Sequence, residues 1–374
     1  MSASTLEQST AAQRRAVVYR PESAVFWVFA GALVFGVISL MALNGAAMHA
    51  TLDASLALVP VWLLFIVALV SLMLRFDPFR SVRRYPQVLA AGFSLGGTIT
   101  LVMAMHGNDA LGRIWQSVLD PEVYARWDAA LSAPLIEEAS KAMAAAVVLV
   151  LCAGVMNRIS HALMVGMFVG FGFDVMEDLT YSVSGALSNL DSDLAGARDG
   201  LLVRIFTAVP SHWAFTSLTA VGVLLLLPSF DNRAGWTAGR RRLVAVGLFF
   251  SAWLMHFVWN SPNPDELQLP VMAAKLLFSL TLFLTIAALL LRHERRYVQA
   301  RIDQARIDST DPVSAVAPEI LDSLPTYLMR RSLRRTARRG GGRGAARAVK
   351  LQQRHALDLI QESSVTRDAV PAGP

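Results

Sequence analysis

The chain has 374 residues, of which 54% are hydrophobic and only 17% are charged, with a mean hydropathy of +0.46. Soluble domains carry about 25% charged residues, so the composition excludes an ordinary soluble domain and predicts a polytopic membrane protein. The net charge of +6 comes from the carboxyl tail, because residues 292–374 carry 16 Lys and Arg against 9 Asp and Glu. The one cysteine, Cys152, excludes an intramolecular disulfide.

Eight apolar stretches are long enough to cross a hydrocarbon core of about 30 Å as helices. The sequence therefore predicts an all-α fold, a polytopic membrane protein with about eight transmembrane helices in a membrane domain that covers residues 24–291. The predicted spans, in chain order, are 24–44, 55–74, 87–105, 134–155, 161–181, 203–227, 243–260 and 270–291.

Arginines are concentrated in alternate connections, and this alternation predicts the orientation. Four arginines lie between residues 75 and 84 and three in the amino tail, residues 1–23, whereas residues 45–54 and 261–269 contain no Lys or Arg. Cytoplasmic connections are enriched in Lys and Arg. We therefore expect both termini in the cytoplasm and a multi-pass protein of the plasma membrane.

Residues 292–374 form the predicted cytoplasmic carboxyl tail. Between residues 330 and 350, the tail holds eight arginines and one lysine with no acidic residue. Blocks of like charge are typically disordered, so we expect a basic, largely disordered tail. It should bind anionic lipid, at about 1 kcal/mol per basic residue near the surface. No aromatic residue interrupts the block, so no specific nucleic acid is expected as a partner.

The fourth predicted span begins with Glu137, Glu138 and Lys141, which are three charges in five residues. A charge at the centre of a membrane helix costs roughly 2.5–3.5 kcal/mol. Three charges here therefore indicate that these residues have partners or a function. With the predicted orientation they lie at the outer end of their span, and polar residues of three later spans fall at the same depth. Those later residues are Glu177 in the fifth span, His212 in the sixth, and His256 and Asn260 in the seventh.

Helical spacing relates the charges of the fourth span to one another. Lys141 follows Glu138 by three residues and Glu137 by four, so its ammonium can pair with either carboxylate. Pro134 suits the first turn of a helix, which predicts that both carboxylates lie near the positive end of the helix dipole. Taken singly, these charges also fit a structural ion pair, and the histidines fit interfacial polar residues. The agreement in depth favours a functional site.

Four segments, in this order, resemble the motifs of PrsW intramembrane proteases, a family related to CAAX-processing and Abi proteases. They are Glu137-Glu138-x-x-Lys141, Phe173-x-x-x-Glu177, Arg204 followed by Pro210-Ser211-His212, and His256-x-x-x-Asn260. The related families have an arginine at the end of the first motif and a histidine in the second, so Lys141 and Glu177 favour the PrsW branch. The resemblance covers about residues 130–265. Asp178 departs from the family pattern, in which asparagine is expected at that position.

The resemblance implies an intramembrane protease that hydrolyses a peptide bond of a membrane-protein substrate, such as a single-span anti-sigma factor, near the outer membrane face. One of the two glutamates would activate the water as general base, and His212, His256 and Asn260 would polarise the scissile carbonyl. The expected site consists of catalytic Glu137, Glu138, His212 and His256 and supporting Lys141, Phe173, Glu177 and Asn260.

Two versions of this chemistry stay open. Two imidazoles and a carboxylate are a familiar catalytic zinc set, so Glu138, His212 and His256 can hold Zn²⁺ with Glu137 as base. Related CAAX-type enzymes are argued to act without a bound metal.

Two other classes of function are also open. One is a proton-coupled membrane transporter, which also needs buried acids and histidines, and the other is a non-catalytic membrane scaffold. Against the transporter, the polar residues define no path to the cytoplasmic side.

Overall fold

The structure is a computed structural model that describes residues 17–230 and 235–368. Every regular element in these two ranges is a helix, which confirms the all-α prediction. Residues 1–16, most of the predicted amino tail, lie outside the described residues.

The described residues form eleven α-helices. In chain order they are α1 Ala24–Ala50, α2 Leu52–Met73, α3 Pro86–Val118, α4 Pro121–Leu151, α5 Ile159–Ser188, α6 Asp193–Thr207, α7 His212–Leu226, α8 Ala238–Asn260, α9 Gln268–Ile307, α10 Pro318–Ser323 and α11 Tyr327–Asp368. One π-helical turn, Gly96–Thr100, interrupts α3.

Six helices are long and apolar enough to cross a membrane, namely α1, α2, α3, α5, α8 and α9. α6 and α7 are bent by 50° relative to each other, and they make a seventh if they are counted as one broken span. The break contains Pro210, which lacks a backbone donor. α4 is not in this set, because every 18-residue stretch of it contains at least three charged residues. The chain is a multi-pass membrane protein, but the predicted count of eight spans is not confirmed.

α5 is the most buried long helix, and its glycines let two neighbouring helices approach its backbone. A Cβ atom on Gly172 would come within 2.0 Å of the carbonyl oxygen of Phe93 on α3. A Cβ atom on Gly170 would come within 2.3 Å of the carbonyl oxygen of His212 on α7. Small residues commonly allow such close helix contacts in membranes. As a result, α3 and α7 lie directly against the part of α5 that carries Phe173.

The ends of α3 and α4 differ from the prediction. α3 extends past residue 105 to Val118, and α4 begins at Pro121 instead of residue 134. Asp120 caps α4 by accepting a hydrogen bond from the Glu122 amide at 2.9 Å. Pro134 therefore lies inside α4, and the prediction that the glutamate pair lies near the positive end of the helix dipole is wrong.

The carboxyl tail is folded, which corrects the prediction of a largely disordered tail. The two arms of α11 meet at Gly342, whose φ of 71° favours glycine. The arms run back along each other, since Gln353 Nε2 donates to the carbonyl oxygen of Arg330 at 3.2 Å. Most arginines of the basic block are exposed, while apolar residues between the charged segments form a small core. That core contains Val298, Ile302, Ala305, Val313, Ile320, Leu321, Leu324, Ala356, Leu357 and Ile360, together with Phe79 of the α2–α3 connection.

Polar contacts join the folded tail to the membrane domain. Arg80 of the α2–α3 connection pairs with Asp358 at 2.7 Å. Arg158, in the turn between α4 and α5, pairs with Glu294 at 3.1 Å and donates to Gln361. Both members of the Arg158–Glu294 pair are buried. The tail therefore contacts the turn that joins the helix with the glutamate pair to the central helix of the membrane domain.

Adding a methyl group at Gly170 should distinguish close packing of α5 against α7 from loose packing. We expect Gly170→Ala to destabilise the protein by about 1–3 kcal/mol, because the added methyl group overpacks the contact with α7. The melting temperature in detergent measures the effect. Gly247→Ala on α8 is the matched control, since a Cβ atom there meets nothing within 4 Å. Equal melting temperatures for the two variants would contradict the close contact.

Trypsin should distinguish a folded tail from a disordered one. Ile360 is fully buried in the tail core, whereas Leu351 on the same arm of α11 is exposed. Ile360→Ala should cost about 2–5 kcal/mol and speed tryptic cleavage between residues 330 and 350. Leu351→Ala should leave the rate unchanged. A wild-type tail that is cut as fast as the Ile360→Ala tail would show that this core does not protect it.

Candidate active site

The glutamate pair of α4 is buried and is held by one ammonium group. Lys141 Nζ lies 3.0 Å from Glu137 Oε2 and 3.1 Å from Glu138 Oε1, as the helical spacing predicts. Its third contact, at 2.7 Å, is Nδ1 of His212 on α7. All three N–H groups of the ammonium therefore have an acceptor. The ring of Phe173 on α5 covers the ammonium at 3.8 Å.

His212 connects Lys141 to Glu177 of α5. Because Nδ1 of the imidazole faces an ammonium donor, it accepts, and the ring carries its proton on Nε2. Nε2 then donates to Glu177 Oε2 at 3.1 Å. Arg204 of α6 donates to the same carboxylate at 2.5 Å and also to Asp178. A continuous series of charge-assisted hydrogen bonds thus links α4, α7, α5 and α6.

Asp174 of α5 fixes the first residue of α7 and therefore the position of His212. Its carboxylate accepts hydrogen bonds from the backbone amides of His212 at 3.3 Å and Trp213 at 3.1 Å. It also accepts from the hydroxyl of Ser211 at 3.0 Å. The first amides of a helix have no partner within the helix, and a carboxylate there also interacts favourably with the helix dipole. α7 is therefore capped by a side chain from another helix.

His256 of α8 faces the same two glutamates from another side. Its Nδ1 lies 3.3 Å from Glu138 Oε1, and its Nε2 lies 3.8 Å from Glu137 Oε2. The ring stacks on Phe215, with centroids 5.5 Å apart, and its centroid is 4.8 Å from that of His212. Two imidazoles from two helices therefore converge on one pair of carboxylates.

The structure brings seven of the eight expected site residues together, and Asn260 is the exception. Asn260 is the last residue of α8, one turn beyond His256, and its Nδ2 donates to the carbonyl oxygen of Ala129 at 3.3 Å. A different asparagine, Asn108 of α3, donates to Glu137 Oε1 at 3.1 Å. Asn108 lies outside the predicted third span, because the apolar stretch ends at residue 105. Continuing α3 by one turn past that point would have identified it.

Glu137, His212 and His256 are a group that could hold a metal ion, since one ligand atom of each lies within 4.8 Å of the others. This set differs from the predicted one, which has Glu138 in place of Glu137. A carboxylate and two imidazoles suit a catalytic zinc ion in type. The hydrogen bonding does not suit it, because both ring nitrogens of His212 face charged partners. His212 can bind a metal ion only if one of those partners moves away.

Comparison with known families agrees with the motifs. The family model described as PrsW family intramembrane metalloprotease matches residues 85–290, which is more than half of the chain and contains every site residue described above. The chain belongs to this family. No curated protein and no solved structure matches it. The PrsW region begins at α3, so α1, α2 and the folded tail lie outside the matched residues.

Proposed function

We propose that this PrsW-family chain hydrolyses a peptide bond of a membrane-protein substrate and that Glu137 is the general base. The observation that carries the proposal is a cavity of about 190 Å³ between α3 and α5, lined by Glu137, Glu177 and Asn108 among others. Glu138 is fully buried and does not line this cavity. A general base must reach the proton that it takes. The cavity therefore favours Glu137 over Glu138.

In the proposed reaction, Glu137 takes a proton from a water molecule while the water oxygen attacks the scissile carbonyl carbon. The tetrahedral intermediate then loses the amide nitrogen, which receives the proton from Glu137, so the products are a carboxylic acid and an amine. Lys141 offsets the repulsion between Glu137 and Glu138 because it bonds to both. The ammonium and His256 also stabilise the negative charge that develops in the transition state.

A zinc ion is the alternative source of positive charge. Held by Glu137, His212 and His256, it would polarise the scissile carbonyl and activate water when bound. We favour the metal-free version, because Lys141 already bonds to two of these three residues. The ammonium then supplies the positive charge that the two carboxylates need.

We also propose where the cleavage takes place and what kind of protein is cut. The arginine-rich connections support an orientation with the tail in the cytoplasm and the site toward the outer face of the plasma membrane. The tail contacts Arg80 and Arg158, both in connections predicted to be cytoplasmic, which supports that orientation. The substrate is then a single-span protein, such as an anti-sigma factor, that is cut near its outer boundary. The exposed arginines of α11 support a contact between the tail and anionic lipid.

Replacing Glu137 by glutamine should abolish proteolysis while keeping the shape of the side chain. Quantitative comparison of the membrane proteins of cells that carry the wild-type or the Glu137→Gln chain should identify single-span proteins that accumulate uncut in the variant. Protein level and melting temperature of the variant show that it is folded. Identical membrane proteomes for the two chains would contradict a proteolytic function.

A matched pair on α8 tests the site more closely, with the accumulating single-span protein as the substrate. His256→Ala should reduce its cleavage by roughly 10²–10³-fold, as expected for loss of a group that stabilises the transition state. Asn260→Ala, one helical turn away, should reduce it by less than about threefold, because the amide bonds to a backbone carbonyl outside the site. Equal losses of cleavage in the two variants would show that Asn260 is part of the active site.

Metal removal separates the two versions of the mechanism. Purified protein treated with 1,10-phenanthroline should keep its activity, because Lys141 rather than a metal ion supplies the positive charge. Metal analysis of the same sample should show less than one zinc ion per ten chains. Loss of activity that added Zn²⁺ restores would overturn the metal-free version and support zinc bound by Glu137, His212 and His256.

A further inference from the structure

The cavity beside Glu137 is lined by polar and apolar side chains together. Asn108, Glu137 and Glu177 supply amide and carboxylate groups, and the walls from α3 and α5 include the small side chains of Ala104 and Ser184. The volume of about 190 Å³ is too small for a helix, which is about 10–12 Å across with its side chains. An extended backbone is narrower and has free N–H and C=O groups that need partners.

Asn108 can form hydrogen bonds both to Glu137, the proposed base, and to an extended peptide backbone in the cavity. Its Nδ2 donates to Glu137 Oε1 at 3.1 Å, while Lys141 donates to Oε2 at 3.0 Å. Both carboxylate oxygens of the base are therefore held. Asn108 Oδ1 is buried and has no hydrogen-bond partner among the described residues. A buried acceptor without a partner costs about 1–3 kcal/mol, and a backbone N–H of a bound peptide would remove that cost.

A second cavity gives this site an approach from the side of α1. It measures about 180 Å³, is lined mainly by apolar residues of α1 and α5, and includes the π-helical turn of α3. Thr180 and Ser184 line both cavities, so the two adjoin across α5. Val37 and Met41 of α1, which border the second cavity, are exposed on the apolar surface. A membrane-embedded segment can therefore reach Glu137 along α1 and α5.

We propose that these adjoining cavities bind the scissile segment of the substrate as extended backbone, and that Asn108 is the positioning residue that holds Glu137 toward it. The inference rests on the proposed function. It specifies the substrate as a single-span segment that unwinds easily, with glycine, proline or serine at the cut, since these residues weaken a helix.

Variants at Asn108 test the positioning role, with the single-span protein that accumulates in Glu137→Gln cells as the substrate. Asn108→Leu, which is close in size but can neither donate nor accept, should lower kcat by about 10²-fold, because Glu137 loses its donor, and raise KM by at least about fivefold, because the peptide N–H loses its acceptor. Asn108→Gln, which keeps the amide, should restore activity to within about tenfold of wild type. Asp109→Asn is the control, because Asp109 is exposed and pairs with Arg113. Wild-type kcat in Asn108→Leu would overturn the positioning role.

Cross-linking tests the binding path separately from catalysis. Cys152 is the one cysteine of the chain, so Cys152→Ser gives a cysteine-free background, combined with Glu137→Gln to retain uncut substrate. A cysteine at Ser184 should form a disulfide with a cysteine placed beside the cleavage position of the same single-span protein. A cysteine at the exposed Leu277 of α9 should not. Equal or stronger cross-linking at Leu277 would overturn the path along α5.

The outcomes separate this inference from the proposed function. If Glu137→Gln stops cleavage while Asn108→Leu is fully active and Ser184→Cys does not cross-link, the protease proposal stands and the inference fails. If cells with Glu137→Gln accumulate no membrane protein, both fail together.

Discussion

The ammonium of Lys141 is the group on which the site depends. It lies fully buried among two carboxylates and an imidazole, and removing one partner of a buried ion pair typically costs 3–5 kcal/mol. Since His212 supplies the third contact, the pair on α4 is complete only when α7 starts at the correct place. Asp174 and the close contact at Gly170 both act on that first residue of α7. The pairing of the two glutamates with Lys141 therefore depends on the packing of α5 against α7.

Much of the site follows from the sequence because helices impose simple spacing. Contacts from Lys141 to Glu137 and Glu138 follow from their separation by four and three residues. The convergence of four helices follows from polar residues that lie at equal depth in apolar stretches, since a charge in the membrane interior needs partners. The family motifs name residues that the structure brings together, and His212 and Glu177 are two of them. Distances between helices, however, depend on contacts such as Gly172 with Phe93, which no spacing rule gives.

The features of the structure that the sequence does not predict share a physical reason. An apolar stretch marks where a helix enters the hydrocarbon, but backbone hydrogen bonds continue α3 to Val118 and start α4 at Pro121, so Asn108 and Pro134 are misplaced. Asn260 shares a helical face with His256. It lies one turn further along α8, however, where its amide donates to a backbone carbonyl of α4. In the tail, the prediction of disorder rests on the high density of arginines. Apolar residues such as Leu321 and Ile360 nevertheless form a buried core, which the average charge does not indicate.

The contacts of Arg158 have a consequence for biosynthesis. This buried guanidinium lies in the turn between the two helices that carry Glu137 and Glu177, and its partner Gln361 follows 203 residues later. During translation, both helices are made well before Glu294 and Gln361 emerge from the ribosome. The turn reaches its final bonding only after the segment that carries Gln361 has been made. Assembly around the glutamate pair therefore depends on the tail, and a chain truncated before residue 361 lacks a contact that braces the helices carrying Glu137 and Glu177.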